Sequence, residues 1–277
     1  MNGGAPGNNG PTIGEVWGRG DGLGEDGGVT ELVHLGAAAG VATITLDSPH
    51  NRNALSQQLT GELLAQLETA GADDMVRAIV IRSAGDVFCS GADLSEATTV
   101  GMGVGAQRMV DVQRAIIANP KPVVARVAGP VRAGGIGIVA AADISIAGHS
   151  STFALTEVRL GLAAATISLT VIPRLTDRAA SLTFLTGDGF DGVEAAQLGL
   201  VTRSVPDYEL DVALDAVLAS LLKGVPQGLR ETKKLLNRKL LADIDARGTE
   251  LAELSAGLFG SDAAREAMLA FLNRKRP

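Results

Sequence analysis

Apolar positions first alternate with polar ones over residues 30–35 and 41–47, with a Gly-containing break at 36–40 between them, which predicts two strands joined by a turn. After the loop S-P-H-N-R-N-A-L the period lengthens. Ser56 is a helix N-cap, and Leu59, Leu63, Leu64 and Leu67 share one apolar face of a helix running to Ala70. A short apolar strand is expected at 78–81 and another at 86–90. A polar, Gly-rich region opens at Gly91, followed by a helix to about Ala118 that Asn119-Pro120-Lys121-Pro122 stops. Residues 123–127 read as a buried strand, 129–143 as a glycine-rich turn and small-residue helix, and 144–147 and 152–155 as further strands. From Ile167 onward the pattern is almost wholly helical, at 178–185, 193–198, 207–223 and 226–241, with a last helix capped by Ser261 and one late strand at 201–205. Strand pairs followed by helices predict an α/β architecture with crossover connections. Residues 1–28 are dense in Gly, Asn and acidic residues, lack periodicity and are expected to form a disordered tail.

Composition narrows the classes. The 277 residues are 46% hydrophobic and only 3% aromatic, so the core must be built from Ala, Val, Leu and Ile. A net charge of -7 argues against nucleic acid or an anionic membrane as partner. The longest uncharged runs considered, ten residues between Arg132 and Asp143 and fourteen between Arg159 and Arg174, fall short of the roughly 18 needed to span a bilayer. No basic, apolar leader opens the chain. The single cysteine, Cys89, excludes an internal disulfide and a multi-cysteine metal site, and a reducing cytoplasm is expected.

The chemistry concentrates in two glycine-rich turns. In G-P-V-R-A-G-G-I-G-I-V-A-A-A-D, residues 129–143, the spacing of Gly135, Gly137 and Ala140 matches a dinucleotide fingerprint, and Glu157 lies 20 residues beyond Gly137. Such a fingerprint sits in a tight turn directly after its strand, whereas residues 128–133 intervene here. The alternative is a helix N-terminus whose backbone amides hold a developing oxyanion. The other turn, A-G-D-V-F-C-S-G-A-D-L at 84–94, also exposes backbone amides.

Taken with N-R-N-A-L at 51–55, K-P-V-V-A at 121–125, F-A-L-T-E-V-R-L-G-L at 153–162 and G-L-V at 199–201, this ordered set resembles the enoyl-CoA hydratase/isomerase (crotonase) superfamily. The resemblance covers about 29–277. It implies a crotonase (ClpP/crotonase-like) fold of repeated ββα units over 29–205, with a C-terminal helical trimerisation region over 206–277. It implies an acyl-CoA thioester as ligand, a homotrimer or a hexamer (dimer of trimers), and no cofactor, coenzyme A being part of the substrate. The amides of Ala92 and Gly134 would form the oxyanion hole, and Glu157 would be the acid/base. Ala54, Ser90, Gly91, Asp93 and Leu94 would touch the CoA moiety, with Arg52, Lys233, Lys234 or residues 274–276 toward its phosphates. Arg132, beside the turn at Gly134, is a candidate either to reach the acyl group or CoA or to stabilise the loop as a cation. Ser168, Thr166 and Thr170 are candidates to line the acyl pocket.

One departure stands out. The family's hydratases carry a first catalytic glutamate where this chain has Gly137. Hydration through Glu157 alone, as a carbon–oxygen lyase, is the leading expectation. The missing carboxylate also suggests room for a bulkier acyl group, and hence isomerisation or hydrolysis of a β-diketone or ring acyl-CoA. A non-catalytic acyl-CoA binder is a third reading. His34, His50 and His149 have no ligand spacing, so no metal is expected.

Overall fold

The computed structural model describes residues 30–93, Glu96 and 102–274; the tail expected at 1–28, Leu94 and residues 275–277 lie outside the described residues. Strand β1 (Val33–Ala38) pairs antiparallel with β2 (Val41–Leu46), Ala38 opposite Val41, around a two-residue turn in which Ala39 and Gly40 both take positive φ. The first strand therefore begins and ends three residues later than the pattern suggested. Its start is set by Glu62, whose Oε2 accepts from the amides of Leu32 and Val33 at 2.6 and 2.9 Å.

From β2 the sheet becomes parallel: β3 (Ala78–Ser83), β4 (Val123–Val127), β6 (Ile144–Gly148) and β9 (Arg203–Val205) follow, giving the order β1-β2-β3-β4-β6-β9. A second sheet of three short strands joins β5 (Pro130–Arg132), β7 (Thr152–Ala154) and β8 (Phe190–Asp191). The strand expected at 86–90 does not form. Only Cys89 bridges to Val131, because the amides of Phe88 and Cys89 converge on the one carbonyl of Pro130.

Helix α1 (Gln57–Ala72) is capped by Ser56, whose Oγ accepts from the Leu59 amide at 3.1 Å, and it buries Leu59, Leu63 and Leu67. Helix α2 (Met102–Ala118) ends at Asn119, which donates to the Leu67 carbonyl at 3.0 Å. Helices α3 (Gly134–Ala141), α4 (Ala165–Val171), α5 (Asp177–Thr186) and α6 (Gly192–Leu198) follow, while α7 (Leu210–Leu221) covers a smaller apolar cluster with Val80, Val124 and Ile146.

The last two helices are α8 (Pro226–Phe259) and α9 (Asp262–Arg274), the latter capped by Ser261 as expected. Helix α8 runs 34 residues, well past the expected end at 241. Its second half holds because it packs on α2. At Gly248 an added Cβ would stand 2.6 Å from Val110 Cγ1, so the glycine that weakens local helix propensity allows the close approach. Glu31–Pro277 clusters as one compact unit, the C-terminal helices included.

Candidate active site

Two loops, one after β2 and one after β3, are stitched together. Arg52 and Asn53 both lie in the left-handed region, which turns the chain so that Asn53 Oδ1 accepts from the Ser48 amide (2.7 Å) and its Nδ2 donates to the Val87 carbonyl (2.9 Å). The Ser90 amide and Oγ donate to the carbonyls of Arg52 and Asn51 at 3.1 and 3.0 Å. The Leu55 amide donates to Gly91 O at 2.8 Å, and Asn51 Nδ2 donates to Asp93 Oδ2 at 3.0 Å. The segment S-G-A-D is thus held by the backbone of Ser90 and Gly91 and by the side chains of Ser90 and Asp93, and Ala92 is fixed between the bonded positions on either side.

The opposing turn comes off β4. Gly129 is required there, because an added Cβ would sit 1.9 Å from the Asp86 carbonyl and φ is +78°. After β5 the chain reverses through Ala133, at φ 48° and ψ -120°, into α3. A non-glycine residue in such a region costs on the order of 1–3 kcal/mol, and the surrounding contacts hold it. The Arg132 amide donates to Cys89 O at 2.9 Å, and a Cβ at Gly91 would lie 3.0 Å from that of Ala133, so the two turns touch. Gly134 is the first residue of α3 and its amide has no intrahelical acceptor. The intervening β5 also ends the dinucleotide reading, since Gly135, Gly137 and Ala140 all lie inside α3 and not in a turn after a strand.

Glu157 arrives at the same place by register. β5 and β7 are parallel neighbours, Arg132 opposite Ala154, so the Ala133–Gly134 turn and the short helical turn Thr156–Leu160 leave the sheet side by side. A cavity of about 100 Å³ is lined by Ala92, Gly134 and Glu157 together with Leu55, Met109 and Ile167, among others. Glu157 Oε2 is buried with no hydrogen-bond partner, and burial pushes the carboxyl up to about 7, only partly opposed by its own backbone amide. Arg159, its neighbour in sequence and an alternative partner for it, pairs instead with Asp188 and with the Thr186 carbonyl.

The remaining candidates divide. Asp93 and Thr166 line the cavity, as does Glu96, whose Oε2 accepts from the Gln57 amide at 2.9 Å. Ala54 is buried and Arg52 exposed; neither they nor Ser90 and Gly91 line the cavity, and the backbones of Arg52, Ser90 and Gly91 take part in the bonds that join the two loops. Arg132 donates to the carbonyls of Val131 and Thr152 and to Thr152 Oγ1 at 2.9, 2.7 and 3.1 Å, so it ties β5 to β7 and does not face the cavity. Ser168 donates to Ala165 O and Thr170 to Gln113 Oε1, both away from the cavity lining. Lys233 is not a phosphate ligand: it is 5% exposed and donates to the carbonyls of Ile116 and Lys121 and to Asp143. Lys234 is exposed and pairs with Glu231.

Gly137 lies behind the cavity wall. An added Cβ there would stand 2.6 Å from Ile167 Cγ2 and 3.3 Å from Gln113 Oε1, so the space expected for a bulkier acyl group is already filled by Ile167. Among the described residues no group of three or more His, Cys, Asp or Glu could hold a metal ion. Cys89 is fully buried and its thiol is pushed up to about 12 by desolvation, which removes it as a nucleophile. Sequence reasoning missed Leu55, Met109 and Ile167, and also Ser255 and Phe259, which reach the cavity from α8. Met109 and Ile167 lay within apolar patterns that look like ordinary core, Leu55 closed the loop motif N-R-N-A-L without a cavity contact being evident, and nothing local to 255–259 signals that these residues return to the site.

A family model for enoyl-CoA hydratase/isomerase matches residues 36–277. The crystal structure of an enoyl-CoA hydratase from Mycobacterium avium is similar with a TM-score of 0.83 at 44% sequence identity, over 90% of this chain and 99% of that one. The mouse mitochondrial enoyl-CoA hydratase domain-containing protein 2 is 31% identical over 252 residues, 87% of this chain and 85% of its own length. An enoyl-CoA hydratase of Alternaria alternata is 32% identical over 208 residues, 75% of this chain and 70% of its own. The fold is the crotonase fold, and the chain belongs to the enoyl-CoA hydratase/isomerase family.

Proposed function

We propose that the protein is an enoyl-CoA hydratase, a carbon–oxygen lyase adding water to a 2-enoyl-CoA thioester. The observation that carries this is that Glu157, whose Oε2 is buried without a hydrogen-bond partner, lines the same cavity as Ala92 and Gly134. The thioester oxygen is held between the amides of those two residues. Glu157 takes a proton from water as the water oxygen bonds to C3, and the C2=C3 electrons move into an enolate whose charge the amides stabilise. Glu157 then returns the proton to C2. One carboxylate thus serves both transfers, and a pKa near 7 suits a group that must accept and release a proton at neutral pH. Loss of the conjugated thioester absorbance on adding a 2-enoyl-CoA tests the reading; unchanged turnover in Glu157→Gln would remove Glu157 from its role.

The apolar wall at Ile167 favours one further reading, isomerisation of a 3-enoyl-CoA, in which Glu157 moves a proton between carbons and no water need be anchored. Mass spectrometry of the product separates the two, by gain of water or no change in mass. The proposal includes no cofactor beyond the CoA of the substrate. Arg52, exposed at the rim of the stitched loops, is the proposed cation for the CoA phosphates. Assembly as a homotrimer or dimer of trimers is supported by the exposed Leu182 and Leu185 on α5 and Leu235 and Leu236 on α8. Residence in the cytoplasm fits a single, buried free thiol, and among the described residues no single helix is long and apolar enough to cross a membrane.

A further inference from the structure

We propose that Ile167 is the specificity-determining residue of this site, selecting straight-chain 2-enoyl thioesters over those branched or ringed at C3; the inference rests on the acyl-CoA reading above. Ile167 is 1% exposed and belongs both to the cavity lining and to the packing of α4 on α3. Its Cγ2 lies 2.6 Å from where any side chain at position 137 would begin, too close for a Cβ to be added there without a shift. Gly134, whose amide holds the thioester oxygen, and Gly137 are three residues apart on α3, close to one helical turn. The Ile167 wall therefore stands beside the carbons next to the thioester, and not at the far end of the acyl chain.

The wall is also rigid. Behind it Gln113 is fully buried, donating to the carbonyls of Met109 and Thr166 at 3.0 and 3.2 Å and accepting from Thr170 Oγ1 at 2.6 Å. A β-branched side chain on a helix has one strongly preferred rotamer, so Ile167 cannot swing aside for an added methyl. The glycine at 137 and the isoleucine at 167 act as one steric unit, and the lost carboxylate leaves no space.

The test compares kcat/KM for crotonyl-CoA, 3-methylcrotonyl-CoA and cyclohexylideneacetyl-CoA in the wild type, Ile167→Val and Ile167→Ala, with thermal unfolding to show that each variant is folded and calorimetric binding of the same thioesters in parallel. Steric exclusion of one methyl group is expected to give the wild type a preference of ~10-fold or more for crotonyl-CoA, with Ile167→Ala narrowing that ratio by ~10-fold and Ile167→Val falling between. A ratio unchanged in both folded variants, or a wild type that prefers the branched thioester, overturns the proposal and leaves Ile167 an ordinary core residue. Absence of turnover with every thioester removes the catalytic reading alone. In that case discrimination in binding that relaxes in the variants still supports the role of Ile167, and equal binding overturns it.

Discussion

The burial that suits Glu157 to proton transfer also costs the folded state something, and the two effects separate with pH. Its folded carboxyl titrates near 7 against an ordinary 4.5, so the folded chain holds a proton that the unfolded chain releases. Stability therefore falls as pH climbs from about 4.5 to about 7 and then levels, since above 7 a bare carboxylate stays buried. Glu157→Gln carries no such charge. It is expected to be more stable than the wild type at pH 8, by up to about 3 kcal/mol, with little of that difference near pH 4, as read by urea denaturation at the two pH values. Activity runs the other way. The base form is needed to take a proton from water, so kcat/KM should rise with pH through a midpoint near 7, and Glu157→Gln should lose it by about 100-fold or more. A variant that is both steadier and inactive is the signature of a residue kept for chemistry.

At the scale of elements, the site depends on how closely the turns approach one another. A Cβ on Gly134 would lie 2.5 Å from Leu55 Cδ1 and 3.0 Å from Met109 Sδ. Gly134→Ala is therefore expected to push Leu55 into the cavity and lower kcat/KM by about 10-fold or more, with a smaller effect on melting temperature because a leucine tip can yield. The contact of α8 with α2 gives the opposite balance. Gly248→Val would force a branched side chain against Val110, and such overpacking should cost about 1–3 kcal/mol in urea denaturation. What could be read from the sequence follows the same division. The Ser56 cap, the Asn119–Pro122 stop and the glycine-rich turn before α3 are local signals, and each announced a helix end that the structure has, whereas the strand expected within the turn at 84–94 does not form. The meeting of Glu157, Ala92 and Gly134 on one cavity was legible through the ordered motifs around them. The second half of α8, the two-residue strand β8 and the wall at Ile167 were not, because each exists through a partner distant in sequence: Val110 for Gly248, Phe153 for Phe190, Gly137 for Ile167. The apparent space at Gly137 shows the limit. An absent side chain in the sequence implies a void only until the residue that packs on it is known.

At the scale of the whole molecule, one buried charge ties the C-terminal helix to the sheet that carries the site. Asp143, just beyond α3, accepts at Oδ2 from the Val123 amide at 2.8 Å and from Lys233 Nζ at 2.7 Å, and at Oδ1 from Asn237 Nδ2 at 2.9 Å. Lys233 also donates to the carbonyls of Ile116 and Lys121, at and beyond the end of α2. The first turns of α8 are thereby locked to β4, α2 and α3, and the far end of the same helix brings Ser255 and Phe259 to the cavity. Two charges 5% and 15% exposed gain little over an apolar pair, but removing one strands the other. Lys233→Met is thus expected to destabilise the protein by about 3–5 kcal/mol, and Asp143→Asn combined with it should cost much less than the sum of the single changes, as a double-mutant cycle in urea will show. If α8 serves the site as a rigid rod, Lys233→Met should in addition raise KM for the thioester while leaving the kcat/KM midpoint near pH 7 in place, since Glu157 follows β7 and is not carried by α8. A KM unchanged in the folded variant would confine the ion pair to stability and show that the cavity wall at Phe259 is positioned by its local packing alone.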